Sequence, residues 1–270
     1  MITRAVLGLY LLAFFAFLLG PLILLAVTAF NTSAYPQVVP FDGPTTQWFA
    51  ALLDDRDVIY GLRNSIRIGV CVALLSVPLG LAGALAMQQV YRRARGLFYL
   101  VVVAPVLTPG VIIGISTVIF WHDLTAATGW RALYSGFTLT VLAQSSFIAS
   151  YCMLIVLARL QRFDGALEEA ARDLGAGPAQ VFAHILLPFL RPALLSAAVL
   201  AFLSSFENYN TTTFAILADK TLTTVLAGRV RQGTSPELGA LVVLIVGVTV
   251  LAAAVAEVVR WRRRIVAAGT

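Results

Sequence analysis

Residues 160–191 read LQRFDGALEEAARDLGAGPAQVFAHILLPFLR, a polar, glycine-punctuated island between apolar runs at about 133–159 and 192–218. Each flanking run exceeds the roughly 18 residues that mark a transmembrane helix candidate. The island is therefore a connection outside a bilayer. Within it, Asp164 can cap a helix whose first turns carry Glu168 and Glu169, where acids suit the positive helix end. Gly175 then supplies a stop. Leu167, Ala170, Ala171 and Leu174 recur at helical spacing. A second short helix can begin at Gly177-Pro178, with Val181, Phe182, Ile185 and Leu186 on one face, and is expected to end near Leu187 because Pro188 lacks an amide donor.

Outward from the island the chain stays apolar: of 270 residues 60% are hydrophobic and only 12% charged. Further runs fall at about 5–30, 64–91, 97–121 and 237–260, which makes six transmembrane helices the simplest count and the fold class all-α integral membrane. The run from Ala5 to Phe30 is longer than the roughly 7–15 residues of a signal-peptide apolar region and is kept as a helix. Pro21, Pro78, Pro105 and Pro109, with Gly80, Gly83, Gly110 and Gly114, sit at membrane depth, where neighbouring helices or water must satisfy the freed backbone groups, and they serve either close packing or hinging.

The basic residues separate when the chain alternates. Arg4, Arg92, Arg93, Arg95, Arg159, Arg162, Arg172, Arg191, Arg260, Arg262, Arg263 and Arg264 fall on one side, out of 19 Lys and Arg in all. The other side holds Arg56, Arg63, Arg67, Arg131, Lys220, Arg229 and Arg231, offset by acids such as Asp42, Asp54, Asp55, Asp57, Asp123, Asp219 and Glu237. The positive-inside rule makes the first side, and both termini, cytoplasmic. The first external segment, about 31–60, is rich in turn formers, with Trp48 and Phe49 as interface anchors and a possible surface for an external partner.

Several chemistries are excluded. Cys71 and Cys152 lie in apolar runs without CxxC spacing, and His122 and His184 are far apart with no HExxH, so neither a disulfide framework nor a metal site is supported. The only lysine, Lys220, follows Asp219, so no P-loop is present. No GxSxG or carboxylate cluster points to an enzyme.

Glu169-Ala170-Ala171, three residues, Gly175, nine residues, Ile185, one residue and Leu187-Pro188 together resemble the EAA loop of ABC importer permeases. The resemblance implies a type I importer permease fold over 1–270 as a single transmembrane domain, with 160–191 as a cytoplasmic coupling loop seated on a separate ATPase. Glu169, Ala170, Ala171, Gly175, Ile185, Leu187 and Pro188 would make that contact. It also implies a second permease subunit (most simply a related, non-identical one), two ATPase subunits and a periplasmic solute-binding protein, in a bacterial inner membrane and with no nucleic acid. The chain then holds no cofactor of its own, and ATP and magnesium are used by the partner.

Beyond the loop, Ser33 to Trp48, Leu167 to Gly175, and the run from Val230 through Arg231, Gly233, Ser235, Pro236 and Glu237 to Ala240-Leu241 are similar to the second permease of the spermidine/putrescine subgroup. That subgroup typically carries paired aspartates where this chain reads Ser205-Phe206-Glu207-Asn208-Tyr209. An ionisable group in a span is a functional candidate, and continuous helical spacing would put Ser204, Glu207, Asn208 and Thr211 on one path-lining face, with Thr212 close by. Gln144, Ser145 and Ser146 are candidates on the fourth helix, either in the path or in interhelical hydrogen bonds. The expected cargo is a polyamine or a related small polar nitrogenous solute. Alternatives are another small solute, such as an amino-acid derivative, phosphonate or iron(III), or a secondary transporter or channel.

Overall fold

In a computed structural model, described for residues 2–233 and 235–268, the apolar runs are helices. They are α1 (Ile2–Thr28), α2 (Gln47–Asp54), α3 (Arg56–Gln89), α4 (Arg95–Leu107), α5 (Gly110–Thr128), α6 (Gly136–Leu160), α7 (Ala166–Asp173), α8 (Pro178–Val181), α9 (Leu187–Phe206), α10 (Thr212–Ala215), α11 (Leu222–Gln232) and α12 (Pro236–Ala268). Among the described residues, five stretches are long and apolar enough to cross a membrane: Val6–Thr28, Arg56–Gln89, Gly110–Thr128, Gly136–Leu160 and Pro178–Phe206. Arg95–Leu107 and Pro236–Leu251 are shorter apolar helices. The side chains of Arg260, Arg262, Arg263 and Arg264 lie outside the described residues.

Two of the six expected passages differ in detail. The third, expected as one helix over 97–121, is two, α4 and α5. Pro109 has no amide to donate and pushes Thr108 into extended backbone (ψ 130°), while the Thr108 hydroxyl bonds the Ala104 carbonyl. The fifth, expected to start near 192, begins at Pro178. The short helix does not end before Pro188, because Phe182–Leu186 form a π turn in which the Leu187 amide reaches the Phe182 carbonyl. This wider turn makes room for the proline ring, and the helix runs on to Phe206. That same helix then stops well short of the expected 218.

The chain divides into two compact units, residues 60–225 and residues 1–59 with 226–270. In the first, α6 is central and packs most extensively on α9. Ile68, Val72, Val141, Ile148, Cys152, Ala197 and Ala201 form one buried cluster, and Ala84, Met153, Val156, Leu160 and Leu190 another. Small side chains bring the helices close. A Cβ on Gly80 would stand 2.5 Å from the Cys152 Cβ and 2.6 Å from the Met153 amide nitrogen, so α3 and α6 meet backbone to backbone there. Large apolar residues remain on the outside, such as Ile112, Ile119 and Phe120 of α5, as expected where hydrocarbon rather than water is the solvent.

In the other unit α12 packs on α1 and α2. Asn31 is fully buried and organises the segment after α1. Its side-chain amide donates to the carbonyls of Gln37 (3.0 Å) and Pro40 (3.1 Å), and its side-chain oxygen accepts from the Asp42 amide at 2.9 Å. The Trp48 indole donates to the Asn31 carbonyl at 2.7 Å, so the expected interface anchor also fastens the loop. Arg229 lies between two carboxylates, bonding Asp55 and, at 2.9 Å, Glu237. Burial pushes the Asp55 carboxyl up, but hydrogen bonds from Arg229 and the Val58 amide more than offset this and hold it below its ordinary 3.8.

Arg229→Met is expected to cost about 1–3 kcal/mol, because it strands two partly buried carboxylates. Because the folded-state pKa of Asp55 is depressed, its contribution is present above pH 3.8 and lost as pH falls through the lower folded value. Melting temperatures of wild type and variant should differ near neutrality and converge only in acid below the folded-state pKa of Asp55; a gap that persists there would show that Asp55 is not the partner that matters.

Candidate functional site

The coupling segment is built by local chemistry. Asp164 accepts from the Ala166 amide at 3.0 Å, and Glu168 and Glu169 occupy the first turn of α7. The ion pair of Glu168 with Arg172 is exposed and contributes little. At the far end Gly175 adopts φ +86°, with its amide on the Arg172 carbonyl (2.9 Å) and the Ala176 amide on the Ala171 carbonyl (3.0 Å). This left-handed stop strains any residue but glycine. The Gln180 side chain then accepts from the Gly177 amide at 2.8 Å and opens α8 with Pro178 first.

Of the loop residues singled out by pattern, Glu169, Ala170 and Gly175 are exposed and Ala171 is half-buried. Gly175 and Ile185 border one open hollow of about 390 Å³ with Leu174, Gln180, Val181 and His184. Leu187 and Pro188 are half-buried at the start of α9. Leu174 is 90% exposed, an apolar side chain held out in water by a rigid turn. A clasp not foreseen from the pattern roots the loop: the Arg159 guanidinium lies 4.1 Å from the centre of the Phe189 ring and donates to the Phe189 carbonyl, and Phe163 meets the same ring edge-on at 5.2 Å.

The second site lies where α9 ends. Glu207 caps its C-terminus, roughly 30 Å along the axis from Leu187, rather than lying within a continuous helix. Asn208 stops the helix by accepting the Thr211 and Thr212 amides on its side-chain oxygen at 3.1 and 3.3 Å, starting α10. The break places Ser204, Glu207 and Asn208 in an open cleft of about 350 Å³ with Phe147, Tyr151, Leu200, Tyr209 and Asn210. Thr211, expected on the same face, is turned inward and fully buried, its hydroxyl beside Gly110.

Gln144 is likewise 1% exposed and does not line the cleft. Its amide donates to the Thr212 hydroxyl at 2.7 Å, and its oxygen accepts from the Ser205 hydroxyl. Thr212 in turn donates to the Asn208 carbonyl at 2.7 Å. Gln144 thus clamps both sides of the helix break. Ser145 is buried with no partner for its hydroxyl among the described residues, and Ser146 bonds its own helix at the Ala143 carbonyl. Pattern reading overlooked Phe147 and Tyr151, although their spacing from Gln144 puts all three along one side of α6.

Glu207 forms no ion pair among the described residues, is exposed, and sits at the negative end of a helix, where a carboxylate is disfavoured. Its position is not explained by stability.

Residues 76–264, which include both the loop and the cleft, match the family described as binding-protein-dependent transport system inner membrane component. The chain belongs to that family. It is 34% identical over 240 residues to the putrescine transport system permease protein PotI of Escherichia coli (strain K12), covering 88% of this chain and 84% of that one. To the spermidine/putrescine transport system permease protein PotC of the same strain it is 27% identical over 247 residues, covering 91% and 90%. A crystal structure of a bacterial ABC transporter that imports the acidic polysaccharide alginate has the same fold, with a TM-score of 0.70 at 20% identity over 93% of this chain and 91% of that one. The protein is therefore a multi-pass permease subunit of an ABC importer, and ATP hydrolysis belongs to a separate subunit. Such a permease works with a further permease, an ATPase and a periplasmic binding protein.

Gln144→Leu keeps the volume but deprives Ser205 and Thr212 of their partner. The expected cost is about 1–3 kcal/mol, seen as a lower melting temperature, with substrate uptake falling further than the amount of folded permease. Unchanged melting and uptake would mean that the helix break holds without this clamp.

Proposed function

We propose that this permease imports a polyamine or a closely related small nitrogenous cation, and that the Glu207 cleft forms part of its path. The observation that carries the reading is the cleft's chemistry. One unpaired carboxylate stands among Phe147, Tyr151 and Tyr209, and a carboxylate with aromatic faces suits an alkylammonium group by charge and cation–π attraction together. The names of PotI and PotC as putrescine and spermidine/putrescine permeases support the same cargo. Ser204, Asn208 and Asn210 add hydrogen-bonding groups that hand a solute along without holding it tightly. Thr211 and Gln144 act behind the wall, by fixing the break.

In this reading Glu169, Ala170, Ala171, Gly175, Ile185, Leu187 and Pro188 form the surface seated on the ATPase, with Leu174 as its apolar contact. Both termini and this loop are cytoplasmic, by the distribution of arginines. The full importer has this chain beside a related second permease, two ATPase subunits that use ATP and magnesium, and an external binding protein. The π turn and the continuity of α8 through α9 favour a lever mechanism: motion of the ATPase surface is transmitted along one helical body to Glu207 at its other end.

Two variants separate the roles. In host cells lacking the native gene, Glu207→Gln should lower uptake of labelled putrescine by roughly tenfold or more, through loss of a charge-assisted contact. Copurification with the ATPase should be unaffected. Glu169→Lys should instead abolish copurification and uptake together. Putrescine and spermidine uptake that survives deletion of the gene would overturn the cargo assignment and leave the permease standing.

A further inference from the structure

Between Arg67 and Arg92 no charged residue occurs. Residues 68–87 of α3 span about 30 Å at 1.5 Å per residue, the thickness of the hydrocarbon core. Arg67 therefore stands at one boundary of that core, with Arg63 one turn further out. Both side chains are exposed, both lie on the same face, and neither forms an ion pair among the described residues. Beside Arg67, on the core side, Ile66, Val70, Cys71 and Phe137 line an open apolar groove of about 570 Å³. Exposed Leu74 continues the same face deeper into the hydrocarbon.

A guanidinium at the edge of hydrocarbon reaches into the headgroup layer, where lipid phosphates are the anions at hand. Two of them, above an apolar groove at the level of lipid phosphates, match an amphipathic anion whose charge and chain are joined at that depth. We infer that this face of α3 and the start of α6 hold a phospholipid: Arg63 and Arg67 take the phosphodiester, and the groove takes the first part of an acyl chain. The arginine stems lie along the apolar surface while their heads reach the phosphate, and the planar fork of guanidinium bonds two phosphate oxygens at once. A free phosphate would leave the groove empty, and a neutral diacyl lipid would leave the arginines unpaired. A second permease with acids at this depth is the competing occupant, and the test separates it.

Native mass spectrometry of the purified full importer, exposed in turn to phosphatidylglycerol, diacylglycerol and glycerol phosphate, is the experiment. Phosphatidylglycerol should remain bound, and the other two should not. Arg63→Gln with Arg67→Gln should reduce the bound fraction roughly tenfold or more, whereas Arg63→Lys with Arg67→Lys, which keeps the charges but loses the bidentate fork, should give an intermediate reduction. Val70→Trp, which fills the groove and keeps both charges, should also reduce it. Equal retention of phosphatidylglycerol by the Gln pair, or of diacylglycerol by wild type, would overturn the proposal. So would loss of the second permease from the Gln pair with lipid binding unchanged, which would make the face a subunit contact.

Discussion

A backbone amide or carbonyl at membrane depth has no water to bond, and every interruption of a helix there must be satisfied by the protein itself. Helix interruptions recur in this permease, within the apolar passages and at the entry to α9, and each carries a local remedy. Thr108 returns its hydroxyl to the Ala104 carbonyl before Pro109. The π turn at Phe182–Leu186 absorbs Pro188 without releasing the chain. Asn208 takes two amides on its side chain where α9 stops. Because those remedies are specific, the breaks are shaped features with defined side chains around them.

The two breaks in the stretch from Pro178 to Thr212 have opposite uses. The first is mild: a wider turn that keeps one helical body continuous from Pro178 in the polar loop up to Phe206. The second is sharp and re-aims the backbone, turning Thr211 and Thr212 into the core while leaving Glu207 and Asn208 in the cleft. Gln144 reads both sides of that break from α6. The left-handed Gly175 and the Arg159 clasp on Phe189 fix the loop at one end of this helical body, and the Asn208 break ends it at the other. This arrangement suits a subunit that performs no chemistry and must convert a partner's motion into access for a solute.

Charge is used sparingly. Glu207 forms no ion pair among the described residues and stands in a cleft of aromatic and amide groups at the C-terminus of α9. Arg229, by contrast, is neutralised by Asp55 and Glu237 and serves structure. The difference between a charge with partners and a charge without them distinguishes a fastening from a working group more clearly than depth in the sequence does.

The sequence by itself determined the membrane class, most of the apolar passages and the helix–glycine–helix form of the loop between α6 and α9, because each depends on local properties: run length, capping residues and a glycine stop. It also marked Glu207 as anomalous, since a lone acid in an apolar run needs no neighbours to be noticed. Three matters were decided only in the tertiary structure. The helix continues through Pro188 because the chain could widen a turn rather than end it. Thr211 leaves the cleft and Gln144 lies behind its wall because Asn208 ends the helix, and a helical projection ceases to hold beyond its last turn. Phe147 and Tyr151 join Glu207 because α6 packs against α9 closely enough for side chains from both to share one cleft, and which faces of two helices meet is fixed by the fit of small and large residues between them, not by the periodicity of either alone.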